Sequence, residues 1–242
     1  KINHDGYVSY LPTLMDFPLQ ISFTEALLDD FNWGKGFIKP YKVLASDFLY
    51  PNPNNLLIFP DNHDMARFYT QVKNDIDLFK MGIVYYSTMR GIPQFYYGTE
   101  ILMNSDENPG DHGLIRTDFP GGWIGDKINA FNGDGLSIKQ LETQKFFKQI
   151  LNWRKNNNII HNGKLIQFAP KDGIYSFFRI LENKMVWVIF NRNNSSKTLA
   201  TSRFDELIEN HKSAFDVLNK KKISISEKLI INAKSALILE IE

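Results

Sequence analysis

The residues best suited to chemistry lie in two motifs that each accompany a short apolar run. Residues 61–64 are Asp-Asn-His-Asp and follow the apolar run 56–59 after Pro60. Residues 91–100 hold a second apolar run, 92–97, and end in Gly-Thr-Glu. An Asn, a His and two carboxylates suit the binding of sugar hydroxyls and the stabilisation of a cationic transition state. The two motifs therefore predict one polar site supplied by two elements.

The elements that must position these motifs are two strands joined by a helix. The first run, residues 56–59, is apolar in succession rather than alternating, which is typical of a parallel strand covered on both faces, and residues 92–97 are predicted as the next strand. A helix is predicted from about Asp75, with Asn74 as its N-cap. Its apolar side chains recur at helical spacing and are Ile76, Phe79, Ile83 and Tyr86. Strand–helix–strand with polar groups at the strand ends is the plan of a (β/α) barrel.

Upstream of these motifs, the chain predicts a short buried strand over residues 14–19 and a helix over residues 23–31. Downstream, residues 102–135 form a long loop dense in Gly, Asp and Asn, and such loops are usually functional in a compact domain. Residues 137–140 (Ser-Ile-Lys-Gln) predict a capping box that opens a helix.

The pattern changes after about Leu165. Residues 174–180 and 185–190 predict a β-hairpin around a polar turn, and residues 223–225 and 237–241 predict further strands. This tail is typical of a small antiparallel β domain.

Composition excludes several classes of protein. The 242 residues carry a net charge of +1, which argues against nucleic acid or a membrane surface as partner. The sequence has no cysteine, so disulfides and thiolate metal sites are excluded. No apolar run is long enough to span a bilayer. The compartment stays open between periplasm and cytoplasm.

The motifs together resemble the α-amylase family of glycoside hydrolases, with the neopullulanase and cyclomaltodextrinase group nearest. Residues 59–64 resemble the family's region at barrel strand seven, and residues 91–100 resemble the region at strand eight. Residues 15–19 resemble strand six, and residues 116–123 resemble the loop after strand eight. By motif the resemblance covers roughly residues 10–160, and the β tail fits by position.

The resemblance also indicates what this sequence lacks. The family's Asp nucleophile at strand four and its Glu acid/base at strand five have no counterpart here. We therefore expect the chain to begin just after strand five and to be inactive alone. Open strand edges are a liability, so we expect either an upstream segment of the same protein as partner or a homo-oligomer.

The resemblance implies that Asp64 is the third carboxylate, which stabilises the oxocarbenium-like transition state, and that His63 donates to a sugar hydroxyl. By residue type alone, Asp64 could instead be a helix N-cap or turn residue. Asn62 is predicted to support the loop through side-chain to backbone hydrogen bonds. Arg67 either binds a sugar or forms a surface salt bridge of little energy.

The long loop supplies the remaining candidates for substrate binding. Arg116 and Asp118 either line an outer subsite or form a solvated pair, and Trp123 is a candidate for stacking on a sugar ring. Glu100 is interpreted as a loop residue rather than a catalytic one. No metal site is predicted, although calcium remains an expectation for the full-length enzyme. The acidic loop residues Asp106, Glu107 and Asp111 lack the spacing of a calcium-binding loop. The histidines His4, His112 and His161 lack the spacing of metal ligands.

These observations predict two domains. Residues 1–163 would be the carboxyl-terminal portion of a (β/α)8 barrel, about strands six to eight, and residues 164–242 a small antiparallel β-sandwich. The chain is predicted to be the carboxyl-terminal portion of a retaining α-glucan hydrolase that acts on maltooligosaccharides, cyclodextrins or pullulan. The alternative is a non-catalytic, amylase-like protein for carbohydrate binding or assembly. Linkage preference and the choice between hydrolysis and transglycosylation stay open.

Overall fold

A computed structural model describes residues 11–30 and 32–242. In these ranges the α-helices are α1 (Phe17–Leu28), α2 (Ile38–Ala45), α3 (Phe68–Gln71), α4 (Ile76–Thr88), α5 (His112–Ile115), α6 (Ile138–Lys155), α7 (Asn158–Asn162) and α8 (Asp205–Ile208). The strands are β1 (Leu57–Ile58), β2 (Ile92–Pro93), β3 (Lys164–Lys171), β4 (Ile174–Leu181), β5 (Lys184–Asn191), β6 (Lys197–Ala200), β7 (Ser213–Asp216), β8 (Lys221–Ser224), β9 (Lys228–Ile231) and β10 (Ser235–Ile241).

The two motif strands pair in parallel. Leu57 lies opposite Ile92 and Ile58 opposite Pro93, and α3 and α4 form the connection between them. Both strands are shorter than the apolar runs that predicted them. Beyond β2 the amide of Gln94 still donates to the carbonyl of Ile58 at 2.8 Å, after which the chain leaves the sheet.

The strand predicted over residues 14–19 is wrong beyond its second residue. Met15 makes one parallel bridge to Leu57, and α1 begins two positions later at Phe17. Asp16 caps this helix by accepting a hydrogen bond from the amide of Leu19 at 3.1 Å. Pro18 fits the first helical turn because an amide there needs no intrahelical partner. The helix predicted over residues 23–31 corresponds to α1, which begins six positions earlier at Phe17 and ends at Leu28; Phe31 lies outside the described residues.

The helix predicted after the first motif is confirmed, but its N-cap is Asp75 rather than Asn74. The Asp75 carboxylate accepts from the amides of Asp77 at 3.0 Å and Leu78 at 3.1 Å. Asn74 has a φ of 58°, a left-handed conformation that Asn tolerates better than most residues. The capping box at Ser137 is confirmed, with Gln140 as its reciprocal partner.

The carboxyl-terminal third of the chain, from Lys164 to Ile241, forms an antiparallel, sandwich-like pair of sheets. The larger sheet has the order β3-β4-β5-β10-β7-β8, and β6 pairs with β9 in the smaller one. The predicted hairpin is confirmed as β4 and β5, with Leu181 opposite Lys184 at the turn. Strands β3, β6, β7 and β9 were not predicted, because their short or polar segments give a weak pattern.

Successive side chains of the central strands point to opposite faces of the larger sheet, and both faces are buried. On β5, Val186 and Val188 join the core shared with α1, α4 and α6. Trp187 and Ile189 point the other way, into a second core beneath β6 and β9. This period of two is the geometry of a β-strand, and it fixes the helical layer on one side of the sheet. Within the described ranges, no helix combines the length and apolar character needed to cross a membrane.

Candidate active site

The candidate active site consists of the loops that follow β1 and β2, together with the segment from α5 to residue 123. Asp61 joins the first two loops. Its Oδ2 accepts from the amide of Phe68 at 2.7 Å, and Thr99 Oγ1 lies 3.2 Å from both carboxylate oxygens. Asp61 is fully buried. One buried carboxylate therefore holds the start of α3 against the turn after β2.

The next three residues of the motif divide into one buried and two exposed side chains. Asn62 is buried, and its Oδ1 accepts from the amide of Asp64 at 2.8 Å. The side chains of His63 and Asp64 are 60% and 61% exposed. The loop therefore exposes His63 and Asp64 to solvent, while the buried Asn62 side chain holds its backbone.

Arg116 is the side chain that fixes the Asp64 carboxylate. Its Nη2 lies 2.9 Å from Asp64 Oδ1, and its Nε donates to the carbonyl of His63 at 2.9 Å. The second oxygen, Oδ2, lies 3.2 Å from His63 Nε2. Arg116 Nη2 also lies 2.7 Å from His112 Nδ1, and because a guanidinium only donates, that nitrogen must accept. Both Asp64 oxygens are thus oriented before any substrate binds.

The interpretation of Arg67 as half of a surface salt bridge is wrong. Arg67 is fully buried, with its guanidinium carbon 4.2 Å from the ring centroid of Tyr96 and 4.8 Å from that of Tyr97. Its Nη1 donates to the Tyr97 carbonyl. A desolvated guanidinium over two rings stabilises the contact between the loops. The predicted contact of Arg67 with a sugar stays a prediction.

A hydrogen bond from Tyr97 extends the same network to the long loop. The Tyr97 hydroxyl donates to the carbonyl of Thr117 at 2.7 Å, directly after Arg116. Glu100 is half-buried beside this network, and burial raises the pKa of its carboxyl group. These contacts connect all three segments of the site.

Asp118 and Trp123 lie farther along the long loop and are exposed. The turn that carries Trp123 is held by Asp126, whose Oδ2 accepts from the amides of Gly121 at 2.7 Å and Trp123 at 3.1 Å. In the part of the chain that the structure describes, neither Asp118 nor Trp123 is hydrogen-bonded or ion-paired to Asp64. Their roles at an outer subsite stay predictions.

Two acidic residues of the long loop, Asp106 and Asp111, have protein partners. Asp106 accepts from Thr70 Oγ1 at 2.6 Å and from Asn74 Nδ2 at 2.7 Å, and Asp111 caps α5. Among the described residues, no group of three or more His, Asp and Glu side chains is arranged to hold a metal ion. His4 lies outside the described residues. The expectation of calcium in a full-length enzyme is not tested.

Sequence reasoning assigned no role to Asp61, Thr99 or His112. The spacing of His112 and Arg116, four positions apart, is the signal that could have paired them, because such residues are neighbours on a helix. No comparable signal joins Asp61 to Thr99, which lie 38 positions apart.

Burial has a measurable consequence at Asp61. Desolvation raises the pKa of its carboxyl group to about 6, against the lowering effects of the Phe68 amide, Arg67 and Thr99. A raised pKa means that the folded chain holds a proton which the unfolded chain has already released. The stabilisation from that proton is complete below the unfolded pKa and is lost as the pH rises through about 6.

We therefore expect Asp61→Asn to change the pH dependence of stability. The free energy of unfolding of the native chain should fall relative to that of the variant by on the order of 3 kcal/mol between pH 4 and pH 7. The measurement is urea denaturation of both chains across this range, and the difference between them cancels the other titrating groups. A difference that does not change with pH would contradict a raised pKa at Asp61.

Residues 165–240 match the family described as the cyclo-malto-dextrinase C-terminal domain. A cyclomaltodextrin glucanotransferase of Thermoanaerobacterium thermosulfurigenes is 26% identical over 195 residues, which is 81% of this chain and 24% of that protein. One from Paenibacillus macerans is 33% identical over 157 residues, or 64% of this chain and 19% of that protein. The chain thus spans about a quarter or less of these relatives.

Solved structures, an α-amylase among them, share the fold. AmyP in complex with maltose has a TM-score of 0.80 at 16% identity, covering 99% of this chain and 52% of AmyP. The α-amylase of Geobacillus thermoleovorans complexed with acarbose has a TM-score of 0.74 at 20% identity, covering 95% of this chain and 48% of that one. At these identities the match establishes the fold alone.

Sequence and fold together confirm the predicted resemblance to the α-amylase family of glycoside hydrolases. The match to the cyclo-malto-dextrinase C-terminal domain is confined to residues 165–240.

Proposed function

We propose that this chain is the carboxyl-terminal part of a retaining, α-glucan-active enzyme of the α-amylase family. In this proposal residues 1–163 complete a (β/α)8 barrel, and residues 164–242 form its β-sandwich domain. The parallel pairing of β1 with β2, with polar loops after each strand, supports the barrel. The start of β3 at Lys164 supports the boundary.

The observation that carries the proposal is the fixed orientation of Asp64. A carboxylate stabilises an oxocarbenium-like transition state best when it is oriented before the reaction, since no free energy is then spent on reorganisation. Asp64 meets this condition because Arg116 and His63 each hold one of its oxygens. His63 lies beside it and, in this proposal, donates to a sugar hydroxyl.

Retaining hydrolysis also needs a nucleophile and a general acid about 5–5.5 Å apart. In the proposal both belong to sequence upstream of this chain, and Asp64 is the third carboxylate. Asp118 and Trp123 contribute to an outer subsite, where Trp123 stacks on a sugar ring. The substrates are maltooligosaccharides, cyclodextrins or pullulan. The maltose and acarbose complexes of the structural neighbours support an α-glucan ligand.

Product release from maltoheptaose, γ-cyclodextrin and pullulan tests the proposal. We expect no products from the chain as it stands and multiple turnovers from the full-length protein. Activity of the chain alone would contradict the assignment of Asp64, and Asp16, Glu100 and Asp118 would then have to be reconsidered as nucleophile and acid. Binding of maltoheptaose without turnover by the full-length protein would favour the alternative, a non-catalytic amylase-like binding protein.

A further inference from the structure

His112 and Arg116 stand at the two ends of α5, four positions apart. Residues at this spacing are neighbours on a helix, and Arg116 Nη2 lies 2.7 Å from His112 Nδ1. Because a guanidinium has donors only, Nδ1 accepts and the ring proton is on Nε2. This contact therefore exists only while the imidazole of His112 is neutral.

Local contacts fix the backbone that carries this pair. Asp111 Oδ1 accepts from the amide of Gly113 at 2.7 Å, and the amide of Arg116 donates to the carbonyl of His112 at 3.1 Å. Ile115 is 1% exposed and anchors the same turn in the core. The imidazole is therefore beside the guanidinium before any substrate binds, although both residues are exposed.

Arg116 has three acceptors, and His112 supplies the third. Its Nε donates to the carbonyl of His63, and its Nη2, which carries two hydrogens, lies within hydrogen-bond distance of Asp64 Oδ1 and His112 Nδ1. The side chains of Arg116 and Asp64 are 43% and 61% exposed, and an ion pair this solvated contributes little by itself. The orientation of the guanidinium therefore depends on the acceptors on either side of that pair.

We propose that His112 is a positioning residue that holds Arg116 against Asp64 and does so only as the neutral imidazole. The inference rests on the role proposed for Asp64 and adds a pH-dependent support to it. Protonation of His112 places a second donor and a second positive charge 2.7 Å from Arg116 Nη2, so the contact becomes repulsive. Asp64 then keeps its charge but loses the fixed orientation that electrostatic stabilisation of a transition state needs.

Other groups of the site also titrate near neutral pH, and their effects must be separated from that of His112. The charged and titratable groups around the contact are Asp61, His63, Asp64, Arg67, Tyr96, Tyr97, Glu100 and Asp111. Burial raises the pKa of Asp61 to about 6 and raises that of Glu100 above its ordinary value. A charged His63 would strengthen its own contact with Asp64 Oδ2, so acid acts on the two histidines with opposite consequences.

The variant His112→Asn makes this separation possible. An asparagine oxygen is as many bonds from the backbone as His112 Nδ1, so it can accept from Arg116, but it does not titrate. The ratio of kcat for the native protein to kcat for His112→Asn therefore cancels the other titrating groups. What remains in the ratio is the protonation of His112.

Initial rates of the full-length protein on maltoheptaose test the proposal. His112→Leu removes the acceptor and should lower kcat at pH 8 by roughly tenfold, the effect of one hydrogen bond. His112→Asn should recover most of this loss. The ratio of native kcat to that of His112→Asn should fall by roughly fivefold or more between pH 8 and pH 5. The control is His161→Leu, at an exposed position of α7, which should leave kcat and its pH profile unchanged.

Hydrogen exchange of the Arg116 Nε–H with water tests the contact without any measurement of catalysis. It is measured by NMR on the ¹⁵N-labelled chain at pH 7. His112→Leu should speed this exchange by roughly fivefold or more, because a guanidinium released from the carbonyl of His63 is solvated. His112→Asn and His161→Leu should not change it.

Two results would overturn the proposal: unchanged exchange of Arg116 in His112→Leu, or a kcat ratio that does not vary with pH. Faster exchange in His112→Leu together with a native kcat in Asp64→Asn would have a different meaning. It would establish the contact between His112 and Arg116 and overturn the role proposed for Asp64. The two failures are therefore distinguishable.

Discussion

Replacement of Arg90 by methionine should lower the free energy of unfolding by about 3–5 kcal/mol. Arg90 is 2% exposed and joins two carboxylates from distant parts of the chain. Its Nη1 lies 2.7 Å from Asp16 Oδ2, and its Nη2 lies 2.6 Å from Asp47 Oδ1. Asp16 also caps α1, so Arg90 holds the start of that helix beside β1 and β2. Without the guanidinium, a buried carboxylate is left unpaired, and its desolvation is no longer offset.

Urea denaturation of the native chain and Arg90→Met measures this loss. Lys39→Met is the matched control, because Lys39 also joins two carboxylates, those of Glu25 at 2.7 Å and Asp29 at 2.8 Å. The Lys39 side chain is 27% exposed, and a solvated ion pair contributes about 1 kcal/mol or less. Equal losses in the two variants would show that burial does not set the energy of the Arg90 cluster.

In the full-length protein, Asp64→Asn should lower kcat by about 10²–10³-fold. The amide keeps the shape of the side chain and an oxygen that can accept from Arg116. It lacks the negative charge that opposes the developing oxocarbenium charge. Because this charge exists mainly in the transition state, the change should affect kcat much more than KM.

Initial rates on maltoheptaose measure the effect, and Asp205→Asn is the control. Asp205 is exposed on α8, so the same chemical change there should leave kcat unaltered. A kcat of Asp64→Asn close to the native value would contradict the electrostatic role proposed for Asp64. A rise in KM with kcat unchanged would instead indicate that Asp64 binds the substrate equally well in its ground state and in the transition state.

Local patterns in the sequence predicted the elements whose signals are local. The spacing of apolar residues predicted α4, the Ser-x-x-Gln pattern predicted the start of α6, and two apolar runs around a polar turn predicted the β4–β5 hairpin. These features depend on hydrogen bonds between residues close in the chain, so a short window of sequence contains the information. Element ends were less well predicted, as Asn74 and the segment at residues 14–19 show.

The sequence by itself also determined the chemistry that the site can offer, because that chemistry depends on the residue types of the Asn-His-Asp motif. Tertiary structure alone decided how those groups are held. Arg116 reaches Asp64 across 52 positions and Arg90 reaches Asp16 across 74, and neither pairing has a local signature. The burial of Arg67 beneath Tyr96 and Tyr97 was likewise set by packing of one loop on another. Long-range pairing and desolvation depend on which surfaces meet, and that is a property of the folded chain rather than of any segment.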